Sequence, residues 1–243
     1  VRLKPFFTYY GGKYRIAPKY PSPKYDKIIE PFCGSAGYSL TYSQKRIHLY
    51  DVNERIVGLW NYLIKVDEKE ILNLPEIFNH ISELTNIPQE AKWLIGFWCN
   101  KGSCEPRNMP SSWMRSGVRP NSYWGEAIKN RIASQLKHIR HWSCELKSYN
   151  QLVDNSPATW FIDPPYSSTA GRLYTYDSID YTQLSEFCMN RNGQTIVCES
   201  EGASWLPFTP LCVAKGSESP RGGKKIIESI WYNDIKIIIE EDK

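Results

Sequence analysis

At 243 residues, with 41% hydrophobic and 23% charged side chains, the chain can bury a full core and reads as one large domain carrying an insertion. No run approaches the roughly 18 apolar residues of a membrane span, and the basic start VRLKPFFTYYGGK has no apolar signal-peptide core, so a cytoplasmic location is expected. A net charge of +4 excludes little, but seven cysteines without a CxxC pair argue against a disulfide framework or a zinc site, and His138 and His141 lack further ligands for a metal.

The charge is unevenly spread. Residues 1–24 hold six basic side chains and no acid, and residues 90–143 hold nine Lys/Arg against three Glu together with five of the nine tryptophans. Basic groups interleaved with aromatics suit a polyanion with stackable bases; a solvated helical face with Trp in the core explains the same composition.

In chain order, KYDKIIEPF predicts a short strand that leads into CGSAGYSL, a glycine-containing turn followed by a helix. KRIHLYD predicts a second strand ending on Asp51, and the apolar spacing of VNERIVGLWNYLIKV predicts a helix. Strand, glycine turn, helix, strand and acid together open a βαβ nucleotide-binding unit with a parallel sheet. From Lys69 to Trp142 the pattern changes: helical stretches (PQEAKWLIGFWCN, WGEAIKNRIASQLKHIRHW) flank a long Ser, Pro, Gly and Asn-rich loop. Strands then return as SCELKSY, ATWFID, QTIVCES, TPLCVAK and KKIIESIWYN. Residues 1–68 and 143–243 are therefore expected to form an α/β body, interrupted by a basic helical insertion over 69–142.

Three short motifs carry chemistry. EPFCGSAG, Glu30 to Gly37, stands where the first strand meets a helix; it is neither GxGxxG nor a P-loop, and serves equally as a structural turn or a ligand loop. Asp51, ending the next strand, suits the two ribose hydroxyls of an adenosine-containing cofactor, or a helix N-cap. YYGGK places a tight turn before Lys13, a point charge suited to a carboxylate.

The most specific signal is DPPY, Asp163 to Tyr166, directly after the apolar strand ATWFI. The prolines stop the strand. An Asp fixed by a rigid turn at the sheet edge accepts one hydrogen bond from an exocyclic amine, and the Pro164 carbonyl accepts the other. Two acceptors on one NH2 draw its lone pair out of conjugation and aim it, while Tyr166 stacks on a planar base.

DPPY together with EPFCGSAG and YYGGK, in this order and with the closing PRGGKKIIESIWYN, resembles the Dam-type, class alpha D12 DNA adenine-N6 methyltransferases. The resemblance implies a Rossmann-like, S-adenosylmethionine-dependent methyltransferase fold with a mixed, mostly parallel seven-stranded sheet, and a target-recognition role for the insertion. It implies that Tyr10, Gly11, Gly12 and Lys13 close over the cofactor, with Lys13 pairing to its methionine carboxylate. Phe32, Cys33, Gly34, Ser35 and Gly37 match the cofactor loop, and Asp51 the ribose acid. Ser148 and Tyr149 stand where many members carry Asp-Phe at the adenine, a departure in which Tyr149 packs on the ring instead. Asp163, Pro164, Pro165 and Tyr166 match the catalytic motif; Asp at its first position favours adenine over the Ser and Asn of cytosine-amine and protein-glutamine enzymes.

The implied partner is double-stranded DNA with a flipped-out adenine, in a bacterial or phage-infected cell, with a restriction endonuclease as a further partner, no metal, no membrane and a monomeric state. Arg107, Trp113, Arg115, Arg119 and Tyr123 of the insertion loop are expected to touch DNA, as are Lys215, Arg221 and Lys224 around a Gly/Ser-rich turn. RNA adenine methylation and a catalytically idle nucleic-acid-binding module are the alternatives.

Overall fold

The computed structural model describes residues 2–168, 174–176, 178–215 and 225–233. Among them seven strands form one sheet: β1 (Lys27–Glu30), β2 (Arg46–Asp51), β3 (Ser143–Leu146), β4 (Ala158–Ile162), β5 (Gly193–Ser200), β6 (Thr209–Lys215) and β7 (Lys225–Tyr232). Their order is β3-β2-β1-β4-β5-β7-β6. Pairing is parallel from β3 through β5, and β7 runs antiparallel between β5 and β6. This is a mixed, mostly parallel sheet of Rossmann-like order, as expected. The chain winds one way from β1 to β3 and the other way from β4 onward, so a switch point opens between the carboxyl ends of β1 and β4, where open α/β sheets bind ligands.

The strand sequences suit a sheet covered on both sides. β4 is buried along its whole length, with Trp160 and Ile162 in the apolar cluster of one face and Phe161 in that of the other. Ile28 and Ile29 of β1 divide in the same way. A period of two thus places one aromatic of the ATWFI run on each face of the sheet.

Helix α1 (Glu54–Lys65) is amphipathic, is capped by the Asn53 side chain on the Arg55 N–H, and buries Trp60 completely. The Trp60 ring meets Phe6, Phe7 and Trp142 and donates its Nε1–H to the Gly34 carbonyl at 2.8 Å, so this indole ties the core to the loop after β1. That loop differs from expectation. In place of an α-helix after CGSAG there is one short turn of 3-10 helix, Ser39–Tyr42. Tyr38 stacks on Phe161 at 4.2 Å between centroids, and the Glu30 carboxylate accepts the Ser39 N–H at 2.7 Å. Both contacts pin the turn to the sheet, and only the three residues 43–45 remain to reach β2.

The insertion carries α2 (Glu68–Asn73), α3 (Gln89–Cys99), α4 (Ser112–Arg115) and α5 (Glu126–Gln135), and α6 (Tyr181–Met189) follows β4. The insertion shares one hydrophobic cluster with the body: Leu94, Phe97, Trp98, Trp124, Ile132 and Trp142 are continuous with Phe6 and Trp60. Its tryptophans are mostly structural. Trp98, Trp124 and Trp142 are buried, and their indole N–H groups donate to the carbonyls of Phe6, Pro75 and Ser43. Buried Lys129 of α5 donates to the Leu72 and Leu74 carbonyls, closing the free end of α2, and pairs with Glu76 at 2.6 Å. Among the described residues no helix is long and apolar enough to cross a membrane.

Candidate active site

A cavity of about 560 Å³ opens at the switch point. Its walls come from the segment before β1 (Tyr9 to Lys13), the loop after β1 (Phe32 to Gly37), the end of β2 (Asp51 to Asn53), the turn after β3 (Ser148 to Asn150), the end of β4 (Asp163, Pro165) and the start of α6. Every residue assigned to the cofactor from the sequence lines it: Tyr10, Gly12, Lys13, Phe32, Cys33, Gly34, Ser35, Gly37, Asp51, Ser148, Tyr149 and Asp163.

At one end Asp51 organises the glycine loop. Its Oδ2 accepts the Gly34 N–H at 3.0 Å, and its Oδ1 accepts the Asn53 N–H at 3.0 Å. Gly34 has φ +42°, a left-handed conformation that costs a residue with a Cβ about 1–2 kcal/mol. Burial raises the Asp51 pKa, with the Asn53 and Gly34 amides opposing. The Cys33 thiol joins these two amides as a donor to the carboxylate, which also lines the cavity. Beside it Phe32 and Tyr149 lie 5.5 Å apart with rings inclined 31°, and the Tyr149 hydroxyl donates to Gln183 at 2.9 Å. Ser148 caps the turn that presents Tyr149, so the departure from Asp-Phe keeps an aromatic wall.

At the other end stands Asp163. The Lys13 ammonium lies 2.8 Å from its Oδ1, donates to the Gly11 carbonyl at 3.0 Å, and is 3.9 Å from Glu228 of β7. Burial pushes the Asp163 pKa up to about 6, with Lys13 opposing and Glu228 adding to the rise. Burial alone would depress Lys13, but the Asp163 and Glu228 carboxylates outweigh it and hold the ammonium charged. Glu30, at the cavity floor, is pushed up to about 8 by burial, the Ser39 hydrogen bonds opposing.

Two expectations meet neighbours that the motifs did not announce. Lys13, assigned to a methionine carboxylate, has Asp163 and Glu228 beside it at the DPPY end, the anions that a lysine only 6% exposed needs. Tyr166 was expected to offer a stacking face. Instead the Lys13 ammonium covers its ring at 4.7 Å from the centroid, its hydroxyl donates to Glu228 Oε1, and neither Tyr166 nor buried Pro164 lines the cavity. The DPPY turn is clamped from neighbouring strands: Glu228 takes Tyr166, and Glu199 of β5 takes the Ser167 N–H at 3.0 Å.

Of the residues expected on DNA, Arg107, Trp113, Arg115 and Arg119 are exposed on the insertion loop. Tyr123 is not available to stack on a base: it is 8% exposed and Lys101 sits over its ring, because this residue leads into α5 through the core. Arg221 and Lys224 fall outside the described residues, and of Lys215 only its place at the end of β6 is described. Arg107 also lines a second cavity, about 240 Å³, with Arg55, Lys92, Trp93 and Asn108. Glu105 joins that loop to the main cavity's rim, meeting Arg55, Asn53 and the Thr175 hydroxyl at 2.6 Å.

Sequence reasoning missed Glu228, Glu30, Gln183 and Tyr174. Glu228 carried a signal: it shares a strand face with core residue Ile230, an acid at an inward position of KIIESIWY.

Comparison with known proteins places the glycine-loop half. Residues 9–92 match the model of the D12 class N6 adenine-specific DNA methyltransferase family. The D12 match spans YYGGK, EPFCGSAG and Asp51; Asp163 lies beyond it and is brought to the same cavity by the fold. No curated protein matches the sequence. Among solved structures, a conserved hypothetical protein from Streptococcus pyogenes aligns over 90% of this chain and 91% of its own, at 10% identity and a TM-score of 0.35. A candidate methylase from Haemophilus influenzae aligns over 85% of this chain and 78% of its own, at 9% identity and a TM-score of 0.34.

Proposed function

We propose that this protein is an S-adenosylmethionine-dependent DNA adenine-N6 methyltransferase. The observation that carries the reading is the single cavity in which the D12-matched glycine loop and Asp51 face Asp163 of DPPY.

The residues present fit the cofactor. Phe32 and Tyr149 supply aromatic surface for an adenine, and Asp51 retains acceptor capacity for ribose hydroxyls. The acids Asp51, Asp163 and Asp180 of the lining outnumber Lys13, which favours a cationic sulfonium. When bound, S-adenosylmethionine supplies an electrophilic methyl group attached to that sulfonium.

Asp163, ionised above about pH 6, accepts an N–H of the target amine and orients the nitrogen lone pair. An amine that gained the methyl group, the donor leaving as a neutral thioether, would become acidic and shed one proton; the Asp163 carboxylate, with this pKa, would take it and return it to water. Clamping of the DPPY turn by Glu199 and Glu228 fixes its backbone before substrate arrives, so only side chains have to adjust on the way to the transition state.

The exposed Arg107, Trp113, Arg115 and Arg119, and the basic cavity around Arg55 and Lys92, support duplex DNA as the macromolecular substrate. The test is incubation with methyl-labelled cofactor and duplex DNA or RNA, followed by digestion to nucleosides. Label in N6-methyladenine from DNA, reduced at least about 100-fold in D163A, is expected. Label confined to cytosine, or to RNA, overturns the substrate assignment.

A further inference from the structure

Glu228 is buried, 4% exposed, on β7, within the closing PRGGKKIIESIWYN segment but with no role assigned to it from the sequence. A carboxylate in that position is costly unless its oxygens are engaged. Its Oε1 receives two hydroxyls, from Tyr20 at 2.5 Å and from Tyr166 of DPPY, and lies 3.9 Å from the Lys13 ammonium. Tyr20 is itself fixed edge-on against Phe161 of β4 at 5.1 Å, so the acceptor is held by the sheet on one side while it holds the motif on the other.

Lys13 therefore stands between two acids, in contact with Asp163 at 2.8 Å and just beyond contact with Glu228. Asp163 cannot serve the lysine and a target amine fully at once, since Oδ1 is occupied by the ammonium. A buried ammonium that loses one carboxylate needs another.

We propose that Glu228 is a positioning residue for methyl transfer: it fixes the Tyr166 ring through its hydroxyl and accepts the Lys13 ammonium when Asp163 turns to the target amine. This rests on the reading above of Asp163 as the group that holds the amine. The move is a displacement of about 1 Å in a flexible four-carbon side chain, and needs no change in the sheet.

E228Q preserves an oxygen acceptor for both hydroxyls and removes the charge. The groups facing Asp163 are Lys13, Tyr166, Tyr20 and Tyr174, Cys198 and Glu199 of β5, Glu30 of β1 and Glu228 of β7. Deleting one negative neighbour makes Asp163 easier to ionise, so the acidic limb of the rate profile moves to lower pH, by roughly half to one unit. The plateau kcat falls about tenfold, because Lys13 stays on Asp163, while cofactor affinity by calorimetry remains within about twofold. Y166F, which keeps the ring but frees it from Glu228, lowers kcat without moving the limb. Should E228Q fail to fold by circular dichroism, E228D tests the positioning role through kcat alone: it keeps the charge, shortens the reach to Tyr166 and Lys13, and lowers kcat with the limb in place.

A wild-type kcat and limb in E228Q, or in the fallback a wild-type kcat in E228D, overturns the role of Glu228 and leaves the methyltransferase reading intact. Wild-type protein that binds cofactor but methylates no adenine overturns that reading, and this proposal with it.

Discussion

Replacing Gly37 by alanine tests whether the cofactor loop holds the YYGGK segment at the site by backbone contact. A Cβ added at Gly37 would lie 2.5 Å from the Tyr14 nitrogen, 2.9 Å from the Lys13 carbonyl carbon and 3.0 Å from the Lys13 nitrogen. Nine in ten Cβ contacts are longer than 3.4 Å, so the Lys13–Tyr14 peptide must retreat by about 0.9 Å, 3.4 less 2.5. Main chain cannot rotate aside as a side chain does. The retreat moves the main chain that carries Lys13 and so disturbs its 2.8 Å contact with Asp163. We expect G37A to lose about 1–3 kcal/mol in urea unfolding, the usual range for overpacking, and at least about tenfold in methyl transfer. Gly102 provides the control: φ is +69° and nothing lies within 4 Å of its Cβ, so G102A carries only the conformational strain of about 1–2 kcal/mol and leaves turnover unchanged. G37A with wild-type unfolding and wild-type turnover would refute the claim that close packing at Gly37 sets the position of Lys13.

Glu30 gives a pH prediction whose sign follows from its raised pKa. Held at about 8 rather than 4.5, it contributes stability that is complete below pH 4.5 and lost as pH rises through 8. E30Q, which keeps an acceptor for the Ser39 N–H, should match wild type below pH 4.5 and exceed it by roughly 2–4 kcal/mol at pH 9 in chemical unfolding; equal curves at pH 9 would contradict this. W60F removes the indole donor to Gly34 and leaves space between Phe6, Phe7 and Trp142, so thermal unfolding should report a loss of about 2–3 kcal/mol and calorimetry a weaker cofactor complex. W113A removes an exposed ring on the insertion loop and should weaken DNA binding by about five- to tenfold in a fluorescence titration, with stability unchanged within about 0.5 kcal/mol.

Most of the fold was legible because its signals are local and repeated. The alternation in ATWFI, the apolar spacing of α1 and the acid closing β2 each specify an element without reference to distant residues. The cavity lining was legible for the same reason: short motifs at strand ends converge wherever a parallel sheet has a switch point. What escaped was set by contacts between distant segments. The expected helix after EPFCGSAG was displaced by Tyr38 stacking on Phe161, 123 residues away by sequence number. The second acid near Lys13, Glu228, depends on β7 lying beside β5, a neighbour relation that no local pattern encodes. Composition misled where tryptophan was concerned: Trp98, Trp124 and Trp142 belong to the core, and only the environment of each indole distinguishes them from exposed Trp113.

The account turns on one geometry, a methyl donor lying along the β1–β4 crevice with its reactive carbon toward Asp163. A crystal structure of the protein soaked with S-adenosylmethionine measures it directly. The prediction is ribose hydroxyls on Asp51, the adenine against Phe32 and Tyr149, and the methyl carbon within about 4 Å of the place where an amine bound to Asp163 would sit. Cofactor density elsewhere on the protein, or seated with its sulfonium turned away from Asp163, would contradict the account.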